Sequence, residues 1–389
     1  MPDTHLARPA IDMEYLTRIL AQLLAIPSPT GYTDQVVRFC GEELERLGIP
    51  FELTRRGAIR ADLKGRKGSP DRAVVAHVDT LGAQVKNLKD NGRLELVSIG
   101  TWSARFAEGA RCTVFTDQGA HRGTILPLKA SGHTFNEEID TQPVAWTNLE
   151  LRVDARCHDR RSLVRHGFEI GDFVAIDPQP EFLPTGYVNS RHLDDKAGVA
   201  VMFAAARAIR EAGLVLPVDC HLLFTISEEV GSGASSVLHG DIAEMVTVDN
   251  GTPAPGQNSR ETGVTVAMAD STGPFDYHLT HRLLELCREH GIPHQRDIFR
   301  YYRCDSAAAI EAGNDIRTAL VCFGVDSSHG YERTHLDALR SLAELLVLYM
   351  ASEMAVERDR HALGSLDGFP VQPMEPAPDP SEAPSEAEG

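Results

Sequence analysis

Four apolar runs in this chain each stop at side chains able to bind a metal, and that repetition limits the possible folds more than any other feature. Ala73-Val74-Val75-Ala76 runs into His77-Val78-Asp79, and Leu222-Leu223-Phe224-Thr225-Ile226 runs into Glu228-Glu229. Met245-Val246-Thr247-Val248 runs into Asp249, and Ala319-Leu320-Val321-Cys322-Phe323-Gly324-Val325 into Ser328-His329. Short continuous apolar runs read as strands buried on both faces, as in a sheet covered by helices on either side. Open sheets of that kind build their sites just beyond the strand ends. His, Asp and Glu gathered there form a hard-to-borderline ligand set. With Asp194 of Leu193-Asp194-Asp195-Lys196, they suffice to hold two divalent metal ions and leave one carboxylate free as a base.

The rest of the chain fits an α/β architecture, a mixed sheet flanked by helices. Ile11, Tyr15 and Ile19 with Leu16, Leu20 and Leu23 form one apolar stripe, which predicts an amphipathic helix ended by Pro27-Ser28-Pro29-Thr30-Gly31. Thr33 and Asp34 then offer an N-cap for a second helix reaching Leu47-Gly48. Between about Gly92 and Pro180 the texture changes to short alternating segments such as Leu94–Val97, Arg111–Phe115, Gly123–Leu126, Leu149–Val153 and Asp172–Ile176. Evenly spaced short strands predict a small inserted β-barrel domain. Helices and strands then alternate again up to a last helix over Leu336–Arg358. The expected organisation is a discontinuous α/β catalytic domain (1–91 and 181–363), a β-rich insert (92–180), and a disordered acidic, Pro-rich tail (364–389).

With 389 residues and a formal net charge of −18, the chain has ample length for a core and a charge that disfavours nucleic acid and anionic membranes. The seven cysteines are scattered, with no C-x-x-C pair, so a reducing cytoplasm is expected. No run reaches membrane-spanning length, and Met1 to Pro9 has no signal-peptide apolar region, so no export is expected. No G-x-S-x-G motif supports a serine hydrolase.

Each candidate has a bland alternative. A lone His77 is more often structural than ligating, but the acid Asp79 lies two residues on along the same strand face, and a ligating imidazole usually donates its second N–H to such a neighbour. Asp194-Asp195 also reads as a helix N-terminus, and Asp249-Asn250-Gly251 as a turn. His329 has a competitor in His335, which sits near the start of the last helix. Glu228-Glu229 is harder to set aside, because adjacent carboxylates at a buried strand end repel each other unless a cation lies between them. In a dinuclear site one would ligate and the other act as general base.

Taken together, Ile26–Gly31, Ala76-His77-Val78-Asp79-Thr80-Leu81-Gly82, Ser190–Lys196, Ile226-Ser227-Glu228-Glu229-Val230-Gly231 and Ser328-His329 resemble the tetrahedral-aminopeptidase family of binuclear-metal peptidases, which includes glutamyl and deblocking aminopeptidases. The resemblance runs from about Tyr15 to Met350. It implies that His77 and Asp249 ligate one metal and Glu229 and His329 the other, that Asp194 bridges them, that Glu228 is the catalytic base and that Asp79 orients His77. It further implies two ions per subunit, Zn²⁺ or Co²⁺, short peptides as substrates, and a large homo-oligomer, commonly a dodecamer. The chain departs from the family at Tyr301-Tyr302-Arg303-Cys304-Asp305 and at Gly330-Tyr331-Glu332-Arg333. More narrowly it is similar to a branch linked with the osmoprotectant N-acetylglutaminylglutamine amide, so a deacylase or amidase of a modified dipeptide is the alternative substrate reading. A non-catalytic binding or assembly protein on the same fold is a third reading, and the retained Glu228 weighs against it.

Overall fold

The computed structural model describes residues 10–356, 359 and 366–374. In chain order its strands are β1 (Phe51–Leu53), β2 (Ile59–Leu63), β3 (Gly65–His77), β4 (Gly82–Leu88), β5 (Leu94–Ile99), β6 (Arg111–Thr116), β7 (Gly119–Pro127), β8 (Leu149–Val153) and β9 (Phe173–Ile176). They continue as β10 (Glu181–Phe182), β11 (Tyr187–Ser190), β12 (Leu216–Thr225), β13 (Ile242–Gly251), β14 (Val264–Asp270), β15 (Gly273–Pro274), β16 (His294–Ile298), β17 (Arg317–Gly324) and β18 (Glu332–His335).

The apolar runs become neighbours in a nine-stranded mixed sheet of order β1-β2-β12-β3-β13-β17-β14-β15, with β16 paired to β14. Its central strands β12, β3, β13 and β17 are mutually parallel. Their carboxyl ends therefore lie along one edge, and the polar residues that follow each run converge there. Burial explains the runs: every residue of β12 is buried, because helices cover the sheet. Helix Met13–Ala25 buries Tyr15, Leu16, Ile19, Leu20 and Leu23 of the stripe read from the sequence, together with Leu24, while Ile11 lies before its start, and Asp12 caps it by accepting from the Tyr15 N–H. Helix Asp34–Leu47 ends at Gly48, which takes the left-handed conformation (φ 65°) that a glycine adopts without a Cβ penalty. Helix Leu193–Glu211 packs against Met13–Ala25 and against the last helix, Leu336–Ala351. Buried Lys196 donates to the carbonyls of Leu23 and Ile26 at the end of the first helix, so this member of the Asp-Asp-Lys segment anchors a helix terminus.

Strands β4-β5-β8-β7-β6-β9 close into a barrel. Its core, including Val85, Leu94, Leu96, Cys112, Val114, Ile125, Leu151 and Phe168, is separate from that of the large sheet. The barrel takes in β4, which precedes residue 92, where the sequence reading began the insert. β4 belongs there because it pairs with both β5 and β9 and so closes the cylinder, a pairing between segments far apart in the chain. A three-stranded sheet, β10-β11-β18, lies beside the site. The last helix stops at Ala351, short of Arg358, where Ser352 turns to extended backbone. Of the segment 364–389 only 366–374 is described, without helix or strand, and Leu366, Val371 and Met374 are exposed. The remainder of that segment, like Met1 to Pro9, lies outside the described residues. No described helix is long and apolar enough to cross a membrane.

Candidate metal centre

The carboxylate of Asp194 lies between two imidazoles. His77 Nε2 is 3.1 Å from Asp194 Oδ1, and His329 Nε2 is 3.3 Å from Asp194 Oδ2. Glu229 Oε2 lies 3.7 Å from His329 Nε2, and Glu228 Oε2 lies 3.8 Å from His77 Nε2. His77, Asp194 and Glu229 each present a potential ligand atom, all within 4.8 Å of one another. Asp249 is buried at the end of β13, where Asn250 Nδ2 reaches both Asp249 Oδ1 (3.2 Å) and Asp194 Oδ2 (2.7 Å). The strand ends and the start of helix Leu193–Glu211 thus bring His77, Asp194, Glu228, Glu229, Asp249 and His329 around one centre, and all of these except His77 line a cleft of about 950 Å³.

Both imidazoles are held by their other nitrogen. His77 Nδ1 is 3.0 Å from the carbonyl oxygen of Asp79, and His329 Nδ1 is 2.8 Å from the carbonyl oxygen of Thr101. Donation of the Nδ1 hydrogen to these carbonyls leaves each Nε2 free to ligate. Asp79 thus meets His77 through its backbone, while its carboxylate is 3.7 Å away and does something else. That carboxylate accepts from Thr30 Oγ1 at 2.6 Å and from the backbone N–H groups of Glu228 (3.1 Å) and Glu229 (3.4 Å), fixing the loop that carries the paired glutamates. His335 is engaged elsewhere: its Nε2 is 3.0 Å from the Thr185 carbonyl oxygen and its Nδ1 accepts from Asp337 N–H, capping the last helix.

Several contributors were not singled out from the sequence. Glu332 takes the N–H groups of Leu193 (2.7 Å) and Asp194 (3.2 Å) on one oxygen and that of His329 (2.8 Å) on the other, tying two segments of the site together. His329 itself sits at φ 65°, in the left-handed region uncommon for a side-chain-bearing residue, and its bond to Glu332 helps to hold it there. Asp305 accepts from Thr225 Oγ1 and Ala234 N–H, bracing the loop after Glu229. Asp195 accepts from the His77 N–H at 3.2 Å, and its Oδ1 is buried without a partner. Thr101 lies within the 92–180 insert, so that segment reaches the site instead of serving only its periphery. The available signal was the Glu332 and Asp305 carboxylates inside the two segments that depart from the family pattern.

The electrostatics fit a cation. Burial, together with Asp194, raises Glu229 well above the carboxylate range, and burial with Asp249 and the neighbouring acids raises Glu228 likewise against the opposing pull of His77. Asp249 is pushed up to about 7 by burial and by Asp194. Burial opposes protonation of His329, yet Asp194 and Glu229 raise it to about 10. Against the opposing effect of burial, the two imidazoles hold Asp194 below the usual carboxylate range, but the crowding of buried acids that raises Glu228, Glu229 and Asp249 is one that divalent cations would relieve, and the donors are the carboxylates and imidazoles such ions accept.

The sequence profile of the M42 glutamyl aminopeptidases matches residues 57–345. YhfE of Bacillus subtilis is 37% identical over 337 residues, covering 86% of this chain and 97% of that protein. The lysyl aminopeptidase of Pyrococcus furiosus is 24% identical over 223 residues, covering 57% of this chain and 60% of that protein. In three dimensions the chain is similar to a TET aminopeptidase from a Thaumarchaeota archaeon (TM-score 0.80, 17% identity, covering 86% of this chain and 96% of that one). It is also similar to the TET1 peptidase of Pyrococcus horikoshii (TM-score 0.76, 20% identity, covering 86% and 99%). The chain therefore belongs to the M42 glutamyl aminopeptidase family and is a metal-dependent aminopeptidase.

Proposed function

We propose that the protein removes N-terminal residues from short peptides, with two divalent ions, Zn²⁺ or Co²⁺, held by His77 and Asp249 on one side, by Glu229 and His329 on the other, and by Asp194 between them. The placement of the Asp194 carboxylate between His77 Nε2 and His329 Nε2 carries this reading, since one carboxylate with an imidazole at each oxygen is the donor arrangement of a shared ligand. When bound, such ions polarise a scissile carbonyl and lower the pKa of water. Glu228 takes the proton of the attacking water and delivers it to the leaving amine nitrogen. Asp79, through the Glu228 and Glu229 backbone, keeps the base aimed at the reacting atoms. The cleft walls, with Phe299, Arg300, Tyr301, Tyr302 and Arg303, receive the substrate's side chains.

The alternative reading is hydrolysis of a capped dipeptide such as N-acetylglutaminylglutamine amide on the same ionic floor. Rates on aminoacyl-anilides against acetylated dipeptide amides, measured with metal-loaded protein, separate the two. Activity confined to the acetylated amide would overturn the aminopeptidase assignment.

We assign the barrel a role in assembly and access to the site and infer a homo-oligomer, a dodecamer in the first instance. The similar P. horikoshii peptidase assembles into a tetrahedron or a large octahedral shell, and exposed apolar residues Val97, Leu128, Val144, Val164 and Ile170 lie in the barrel segment here. A monomer in light scattering at micromolar concentration would refute this. Seven free cysteines suit the reducing cytoplasm expected from the sequence.

A further inference from the structure

One other group among the described residues brings three potential ligand atoms within 4.8 Å of one another: Asp62, His221 and His239. The strand register creates its first half, because Asp62 on β2 lies directly opposite His221 on β12. His239 arrives from the loop that leads into β13. Arg60, also on β2, donates to the carbonyls of Ser236, Val237 and Leu238 and so holds that loop over the strands. The two imidazole rings lie 4.3 Å apart.

Asp62 Oδ1 is 2.7 Å from His221 Nδ1 and 3.8 Å from His239 Nε2. The other oxygen of Asp62 faces Lys64 Nζ at 3.6 Å, so Oδ1 is the atom left for the two rings. From its second nitrogen, His221 faces a different carboxylate: Nε2 is 3.2 Å from Asp71 Oδ2 but makes no hydrogen bond, and Asp71 Oδ1 has none either. Both His221 and Asp71 are 4% exposed, so water does little to satisfy these atoms. Gly240 permits the approach, since its φ is +69° and a Cβ there would lie 2.7 Å from Asp71 Oδ2.

With a cation, every group has a task. We propose that Asp62, His221 and His239 form a second, separate site for a divalent transition cation, Zn²⁺ being the best match, with Asp71 accepting the remaining N–H of His221. Two imidazoles and a carboxylate are donors this class of ion prefers, and a ligating imidazole that gives its other N–H to a carboxylate is the usual supporting arrangement. Asp62 and His239 are partly exposed, at 31% and 24%, which leaves a water position and an entry path. The ion would clamp the chain between Glu228-Glu229 and Asp249, two segments of the catalytic centre, without entering the reaction.

Zinc counting on the full-length protein tests this. Chelator-stripped protein is reloaded with excess Zn²⁺, desalted and measured by mass spectrometry for the parent, His239→Ala and Asp62→Asn. Each variant should hold one zinc per chain fewer than the parent and keep the parent's peptidase rate. In an Asp194→Ala background, which lacks the bridging ligand, a single Co²⁺ should remain with a visible d–d spectrum, and adding His239→Ala should abolish it. Equal zinc content in the parent and both single variants would overturn the proposal, as would a Co²⁺ spectrum unaffected by the second substitution. Circular dichroism shows that each variant is folded; if His239→Ala is not, Asp62→Asn, which keeps the volume of the partly exposed side chain, decides the question alone.

Discussion

Glu332→Gln tests whether the paired segments of the metal centre are held by a single buried carboxylate. Glu332 is 2% exposed and accepts from Leu193 and Asp194 on Oε2 and from His329 on Oε1. Glutamine has the same shape but only one acceptor oxygen. In either orientation its NH₂ faces at least one backbone N–H, and that donor is left unpaired in a buried site. Leaving a buried donor unsatisfied costs about 1–3 kcal/mol. If the loop bearing His329 moves to relieve the clash, the population with His329 in reach of Asp194 falls by the corresponding factor, roughly 5- to 150-fold at about 1.4 kcal/mol per tenfold, and apparent metal affinity falls with it. Calorimetric Zn²⁺ titration of chelator-stripped protein should therefore show one of the two catalytic-site affinities weakened within that range. The Asp62 site is left intact by the substitution and serves as an internal control. Affinities equal to the parent's, with an unchanged kcat, would show that Glu332 does not position the ligands and would refute the reasoning.

Glu228→Gln should lower kcat by at least about 10²-fold, the usual contribution of a general base, while metal content stays at the parent's level; more than about a tenth of the activity remaining would remove Glu228 from its assigned role. His329→Ala should weaken metal retention, whereas His335→Ala, which loses only a cap and a bond to Thr185, should leave it unchanged; elemental analysis of both variants distinguishes them. Arg72→Met breaks a fully buried ion pair with Glu244 (3.1 Å) and should cost about 3–5 kcal/mol in urea unfolding, and Arg72→Met with Glu244→Leu should recover much of that loss. Asp12 is held below the usual aspartate value first by the Tyr15 N–H, and also by Arg207. Its capping contribution is therefore complete above the unfolded value of about 3.9 and disappears as pH falls through the lower folded value. Asp12→Ala should thus cost about 1 kcal/mol at pH 7 and progressively less as pH falls below the unfolded value, read from thermal melts across that range.

The α/β architecture was legible because burial on both faces of a parallel sheet demands continuous apolar runs, and four such runs each broke at a polar residue. The first helix was legible from its period: five of the six side chains read as the stripe, Tyr15, Leu16, Ile19, Leu20 and Leu23, are buried, whereas Ile11 falls before the helix and Leu24 takes the sixth buried place. The barrel showed itself as alternating segments, yet β4 escaped, because what assigns it to the barrel is closure against β9, about ninety residues away in the chain. Residue type and position marked His77, Asp194, Glu228, Glu229, Asp249 and His329 as candidates; their convergence depends on parallel strands sharing one carboxyl edge, which no local pattern records. Glu332 and Asp305 stood only inside segments that depart from the family pattern, and Thr101 had no signal; their roles stayed hidden because each accepts a hydrogen bond from a residue distant in sequence. The cluster of Asp62, His221 and His239 was likewise invisible, because it arises from the antiparallel register of β2 against β12 and the loop that Arg60 holds above them. A chain's own order thus sets which side chains stand at the ends of its buried segments, while distances between those ends follow from strand pairing, a property of the folded whole.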